Sequence, residues 1–251
     1  MKSQTIWPKK LPPLTEEQRR ISNDFMRYWH EVLPRKYSSI ERFNHVYPIR
    51  AAQAGFVRTL EIGAGLGEHL QYEMLTTAQQ SNYYALELRE NMSRRIKERF
   101  PFVKAITGDC QQPLNFPEGY FDRILAIHVL EHLPNLPAAI QEAYRVCTKD
   151  RGFLYVVIPC EGSLAYSLAR RLSAQRIFER RYKQSYRWFY QREHINRPRE
   201  IIRELTRYFL ITHRSFFPIP VPLICCNLVI GLTLRPRPKP KDNYAALPVA
   251  M

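Results

Sequence analysis

Between Val57 and Pro159 short apolar runs recur, each followed by a stretch of mixed polarity. The runs are Thr59–Ile62, Tyr83–Glu87, Phe102–Thr107, Phe121–His128 and Gly152–Pro159. Runs of this length, punctuated by glycine, proline and acidic residues, predict buried strands. Strands separated by helix-length stretches predict βαβ units and a parallel sheet. The fifth run, Phe153-Leu154-Tyr155-Val156-Val157-Ile158, is apolar without interruption, as expected of a central strand covered on both faces. Upstream, Ile21, Phe25, Tyr28, Trp29 and Val32 recur at helical spacing, and Thr15 with Gln18 forms a capping-box pattern. Together they predict a helix over 15–33. Downstream, Phe216–Leu234 carries no charge. That length would span a bilayer, but Pro218, Pro220 and Pro222 fall at every second position, which a helix tolerates poorly. The pattern predicts the exit of a sixth strand, a proline-braced loop and a seventh strand near 228–234. An interfacial patch over 216–224 is the alternative.

The first strand runs into Glu61-Ile62-Gly63-Ala64-Gly65-Leu66-Gly67-Glu68. Glycines let a backbone turn sharply and approach a ligand with no Cβ in the way. A strand, a glycine turn and a helix start make a nucleotide-binding corner. A dinucleotide site needs G-x-G-x-x-G. Here the spacing is G-x-G-x-G, and Glu68 stands where a third glycine would. Glu61 and Glu68 would repel a pyrophosphate and suit a ligand carrying positive charge, such as an amino group or a sulfonium.

Two more acids end the next strands. Glu87 follows Glu61 by 26 residues, where a carboxylate is placed to accept both hydroxyls of a ribose. Asp109, in Thr107-Gly108-Asp109-Cys110, is placed to accept from an adenine amino group; Gly-Asp is also a common turn pair.

The order E-I-G-A-G-L-G, A-L-E, G-D-C, F-D-R-I-L-A-I-H-V-L-E-H-L and G-F-L-Y-V-V-I-P resembles the class I S-adenosylmethionine-dependent methyltransferases, in particular the branch whose fourth strand leads into V-L-E-H. The resemblance runs from about Val57 to Pro159 and weakly on to Pro236. It implies an α/β, Rossmann-like fold: a seven-stranded, mostly parallel sheet with an antiparallel last strand and helices on both faces. It implies S-adenosylmethionine as cofactor. Glu61, Gly63, Ala64, Gly65 and Gly67 would line its methionine end. Glu87, in place of the commoner Asp, would hold the ribose. Leu88 would pack on the adenine, Asp109 and Cys110 would meet its edge, and His128 would stand at the sulfonium side, facing the acceptor. The segment before the first strand would form a lid over the acceptor site, with core packing at the sheet edge as the plainer expectation.

The chain divides into 1–50 (an N-terminal helical lid, with a loose proline-bearing arm over 1–13), 51–160 (the cofactor-binding core), 161–208 (an insertion), 209–236 (closing strands) and 237–251 (a mobile tail). At 251 residues the length suits a single core. Five cysteines show neither C-x-x-C nor a Cys/His metal spacing; they predict reduced thiols, no metal and a cytoplasmic location. Net charge is +15, and +9 of it lies between Arg170 and Arg214, where thirteen basic residues oppose four acids. Nearly all are arginine, which binds phosphate as a planar fork, and aromatics are interleaved from Tyr166 to Tyr190. This composition suits a phosphorylated or lipid-like acceptor, peripheral contact with an anionic membrane at its inner face, or RNA; no attached RNA-binding module favours the last.

Methyl transfer is an in-line displacement in which positioning does most of the work. An oxygen or carbon acceptor must also lose a proton, for which histidine is suited. His128 ends a central strand, His132 follows at i+4, and His194 lies in the insertion; these are the candidate bases. The resulting expectation is a methyltransferase acting on a small-molecule or lipid-like, anionic acceptor. A nicotinamide-dependent oxidoreductase and a non-catalytic binder of anionic membrane or nucleic acid are the alternatives.

Overall fold

The computed structural model describes residues 6–240, the side chains of 29–36 excepted. Trp29 and Val32 of the first helical stripe, residues 1–5 of the arm and 241–251 of the tail lie outside the described residues.

Two helices precede the sheet, α1 (Glu16–Lys36) and α2 (Ser38–Ala51). The capping box at the start of α1 forms: the Gln18 amide donates to Thr15 Oγ1 and the Thr15 amide to Gln18 Oε1, both at 3.1 Å. The strands are β1 (Thr59–Ile62), β2 (Tyr83–Glu87), β3 (Lys104–Thr107), β4 (Arg123–Ile127), β5 (Phe153–Pro159), β6 (Phe209–Phe217) and β7 (Val229–Pro236). They form one sheet in the order β3-β2-β1-β4-β5-β7-β6. Pairs from β3 to β5 are parallel, and β7 runs antiparallel to both neighbours. The proline-braced loop enters as expected: β6 ends at Phe217 and a 3₁₀ turn, Ile224–Cys226, leads into β7.

Between the strands lie α3 (Thr77–Ser81), α4 (Glu90–Arg99) and α5 (Leu136–Val146). After β5 come α6 (Leu164–Arg170), a π-helical stretch (Arg171–Gln175), α7 (Arg176–Tyr182), α8 (Arg187–Glu193) and α9 (Pro198–Tyr208). Side chains alternate across a strand, so each face of the sheet collects its own core. On one, Leu60, Ile62, Ile124 and Val156 pack with Ile140 of α5 and Ile201 and Leu205 of α9. On the other, Tyr83, Ala85, Leu125 and Tyr155 pack with Ile96 of α4. A separate aromatic cluster joins α1 to the insertion: Phe25 lies edge-on to Phe178 and Phe189, with ring centroids about 5 Å apart. By packing, therefore, α1 goes with α7 and α8, whereas α9 goes with the sheet.

Two local expectations are corrected. No α-helix opens after the glycine turn; only a 3₁₀ turn, His69–Gln71, does. The reason is local competition: the Glu68 carboxylate folds back onto the Leu66 amide at 2.8 Å, and Glu73 is drawn inward to His69 and Arg123. The described part of the N-terminal arm is not loose. The Lys9 amide donates to Pro134 O, Lys9 Nζ reaches Ile195 O and Glu200, and Arg192 donates to Pro12 O. Of the two readings of the segment before the first strand, lid or core packing, Tyr47 takes the second: its ring lies where a Cβ on Gly231 would stand, and its hydroxyl meets Thr233 Oγ1 at 2.9 Å.

Candidate functional site

Strand order reverses between β1 and β4, and in open parallel sheets the carboxyl ends at such a point form the binding crevice. β1 enters it as the glycine turn. Gly63, Gly65 and Gly67 all have positive φ (69°, 59° and 78°), a conformation that a Cβ penalises. The Gly63 and Ala64 amides donate to Leu86 O at 2.8 and 3.1 Å, which lays the turn across the end of β2. Gly63 also has no room for a side chain, because a Cβ would come within 2.6 Å of Val129 Cγ2.

Glu87 sits at the centre of this end. One carboxylate oxygen accepts from the Gly65 amide at 3.1 Å and the other from the Arg89 amide at 3.0 Å. Each oxygen keeps lone-pair capacity, as a ribose diol requires. Leu88, next in the chain, is an exposed apolar side chain beside that carboxylate. Asp109 Oδ1 accepts from Gln111 twice, both at 2.9 Å, an Asx-type turn that leaves Oδ2 outside those bonds. Cys110 is buried; burial pushes its thiol up to about 12, so only its backbone faces outward chemistry. Glycine turn, diol acceptor, apolar face and second acid thus stand in one crevice, and they fit an adenosine ligand.

Two members of the sequence-derived set lie elsewhere. Ala64 is buried in the second core cluster, so only its backbone belongs to the turn. Glu61 is buried too: β1 alternation turns it to the face holding Tyr83, whose hydroxyl donates to its carboxylate at 2.7 Å. Burial, reinforced by Glu68 and Glu73, pushes Glu61 up to about 8 against the opposing Tyr83 bond. Beside it Arg123 donates to Glu73 at 2.5 Å and His69 lies 2.7 Å from the same oxygen. Glu61 therefore belongs to a buried network behind the turn, not to the crevice surface.

The three histidines do converge. β4 ends at Ile127, and His128 takes a left-handed φ of 51°, uncommon for a residue with a Cβ. Its Nδ1 lies 3.1 Å from Glu131 Oε1 on the 3₁₀ turn Leu130–His132. Burial alone would raise Glu131, but the His128 bond and the neighbouring imidazoles bring it below its ordinary value. An ionised carboxylate only accepts, so Nδ1 of His128 carries the proton shared with Glu131. Nε2 is buried and has no hydrogen-bond partner.

His132 and His194 face each other with ring centroids 5.1 Å apart. The segment bearing His194 is pinned by backbone: the Ile195 and Asn196 amides both donate to Glu131 O at 3.0 Å, and Asn196 Nδ2 donates to Leu130 O and Leu133 O at 2.8 Å. His194 Nδ1 is 2.9 Å from Glu161 Oε1, and Tyr190 donates to the other oxygen. The two imidazoles titrate apart. Burial holds His132 below its ordinary value, outweighing Glu131. For His194 burial acts downward but is overcome by Glu161, so the net direction is up. Paired groups pushed in opposite directions are an acid–base arrangement.

Beyond His194 a cavity of about 610 Å³ opens between the N-terminal arm and the insertion. Lys9, Lys10, Arg170, Arg171, Arg187 and Arg197 line it, with Glu161 and His194 at its wall. The Arg170 guanidinium lies 4.2 Å over the Tyr190 ring. Sequence reasoning did not single out Glu131, Glu161, Tyr190 or Arg170. Glu161, two residues beyond β5, carried a positional signal, because parallel strands present chemistry at their carboxyl ends. Tyr190 and Arg170 carried none within a long run of similar residues. Among the described residues no group of three or more His, Cys, Asp or Glu could hold a metal ion.

Residues 60–156 match the family described as a methyltransferase domain. No curated protein matches the chain. Solved structures do. One, from Pyrococcus horikoshii, is 15% identical, with a TM-score of 0.59 over 84% of this chain and 99% of that one. A S-adenosylmethionine-dependent methyltransferase from Thermotoga maritima is 18% identical, with a TM-score of 0.56 over 86% and 98%. The N-methyltransferase NodS from Bradyrhizobium japonicum is 16% identical, with a TM-score of 0.52 over 81% and 99%. The domain match gives a methyltransferase domain over 60–156, and the structural likenesses give the same fold.

Proposed function

We propose that this class I S-adenosylmethionine-dependent methyltransferase acts on a small-molecule or lipid-like acceptor that carries negative charge. The observation that supports the acceptor is the basic cavity beside His194 and Glu161. Six cations with one acid at the wall favour a phosphorylated or carboxylated group, which arginine grips as a fork.

S-Adenosylmethionine supplies an electrophilic methyl group on a sulfonium. Glu87 would hold its ribose and Asp109 the adenine edge, with Leu88 against the adenine face. Gly63, Gly65 and Gly67 would let the backbone approach its amino-acid end. The rest is the work of this chain's own side chains. His128 takes the proton of the acceptor's hydroxyl or amine at Nε2, the nitrogen that the Glu131 contact leaves unpartnered. Glu131 fixes the tautomer and stabilises the imidazolium, the role of an orienting carboxylate. His194, held by Glu161, keeps positive charge at the cavity wall, where an anionic group is drawn in. Asn196 locks the insertion to the turn after β4, which keeps these groups in register.

The test is methyl transfer to anionic and neutral fractions of extracted lipids and metabolites, read as a mass gain of one CH₂. The expected product is in the anionic fraction. Arg197→Glu is expected to raise the acceptor KM about tenfold through lost charge pairing, with affinity for S-adenosylhomocysteine unchanged. Product only from neutral compounds, or an unchanged KM, overturns the acceptor assignment.

A further inference from the structure

On the helix run whose Arg170 and Arg171 line the cavity, Leu164, Leu168 and Leu172 stand 82%, 59% and 65% exposed at successive turns. The 3₁₀ turn Ile224–Cys226 packs against α6, and this brings in the loop after β6. Ile219, Val221 and Leu223 of that loop are exposed as well, alternating with exposed prolines. The joined surface contains no charged side chain from Ser215 to Leu234. An exposed apolar patch of this kind marks an interaction site.

The loop is built to hold these side chains outward. Asn227 is fully buried and spends its side chain on the loop backbone. Its Oδ1 accepts from the Ile219 amide at 2.8 Å, and Nδ2 donates to Val221 O at 3.1 Å and Leu223 O at 2.9 Å. Ser163 Oγ, at the start of α6, donates to Asn227 O at 3.2 Å and ties the loop to the leucine stripe. The apolar tips are therefore presented on a fixed frame and cannot collapse into the core.

Charge decides the occupant. Arg171 and Arg176 are exposed on the same helix run as the leucines, and Arg214 is exposed three residues before the loop begins to turn. Apolar tips rimmed by arginine match the boundary between acyl chains and anionic headgroups. Among the described residues no helix is long and apolar enough to cross a membrane, so contact through this face is peripheral.

We infer that the Leu164–Leu172 stripe and the 218–226 loop dock the protein on an anionic lipid bilayer. The cavity-lining Arg170 and Arg171 belong to the same helix run, so docking brings the mouth of the basic cavity to the membrane surface. The docking stands independently of the acceptor assignment, and vesicle binding measures it without turnover.

The full chain is sedimented with vesicles of phosphatidylcholine alone and of phosphatidylcholine with phosphatidylglycerol, at low and high salt. Binding is expected to the anionic vesicles, weakening as salt rises. Leu168→Ser combined with Val221→Ser removes apolar contact without changing charge and is expected to lower partitioning about tenfold or more. S-Adenosylhomocysteine affinity and the melting temperature of that variant should match the parent, which shows that the fold is intact. Failure to bind anionic vesicles at low salt overturns the inference, as does binding that the double variant leaves unchanged. A dimer that the double variant dissociates, with no vesicle binding by the parent, also overturns it and makes a second copy the occupant.

Discussion

Two clusters in this protein use the same residue types for different ends. Behind the glycine turn, His69, Glu73 and Arg123 expose 0%, 4% and 1% of their side chains. At the ends of β4 and β5, His128, His132 and His194 expose 31%, 34% and 19% around the buried Glu131 and Glu161. In the closed cluster burial dominates: it pushes His69 down to about 4, while Glu73 is brought to about 2 by His69 and Arg123 against the burial that opposes them. Those charge states are fixed across the physiological range. In the open cluster the shifts are opposed: burial holds His132 below its ordinary value, whereas Glu161 lifts His194 above its own. Both clusters leave one ring nitrogen unpartnered, Nδ1 of His69 and Nε2 of His128, so what separates them is whether a substrate can reach the ring.

The largest break of this contrast is Glu73→Ala. It leaves Arg123 as an unpaired buried charge, and breaking such a pair costs about 3–5 kcal/mol. A sharp fall in the urea midpoint is expected. An unchanged midpoint would mean that the closed cluster does not hold the fold.

His128→Asn probes the open cluster. Asparagine tolerates the left-handed backbone at this position, so stability should change little. The kcat should fall about a hundredfold or more if His128 accepts the proton. Full activity would assign His128 to positioning alone.

The smallest effect is expected from Glu61→Gln, which keeps the side chain neutral and its bond to Tyr83 possible. Burial raises the folded value to about 8 from 4.5. Its stabilisation is thus complete below the unfolded value and is lost as pH rises through the folded one. Melting curves at about pH 5 and about pH 8 should show a steeper loss in the parent than in the variant, the difference at the upper pH being about 2–4 °C for each kcal/mol involved. Identical slopes would show that Glu61 is ionised throughout and draw it back toward the crevice.

Much of this was legible in the chain. The apolar runs gave the five parallel strands to within a few residues and the seventh near its place, because strands such as β1, β2 and β5, buried on both faces, leave a signature that few solvent-facing segments share. The glycine spacing and Glu87 marked the crevice, because backbone approach demands glycine and a diol demands an acceptor. The burial of Glu61 was not legible for a plain reason: a strand period of two assigns faces only relative to its neighbours, and packing against Tyr83 decided which face this one took. The helix expected after that turn failed because Glu68 and Glu73 found nearer partners than a helical backbone offered.

From the amino-acid order alone came the sheet, the cofactor corner and three scattered histidines worth watching. Folding in three dimensions decided that those histidines meet, that Glu131 and Glu161 orient two of them, and that the arginines form a cavity wall beside a row of exposed leucines. Local spacing dictates periodic burial, whereas partners such as His194 with Glu161 and Lys9 with Glu200, about 30 to 190 residues apart, are chosen by the packing of whole elements, and no window along the chain contains that information.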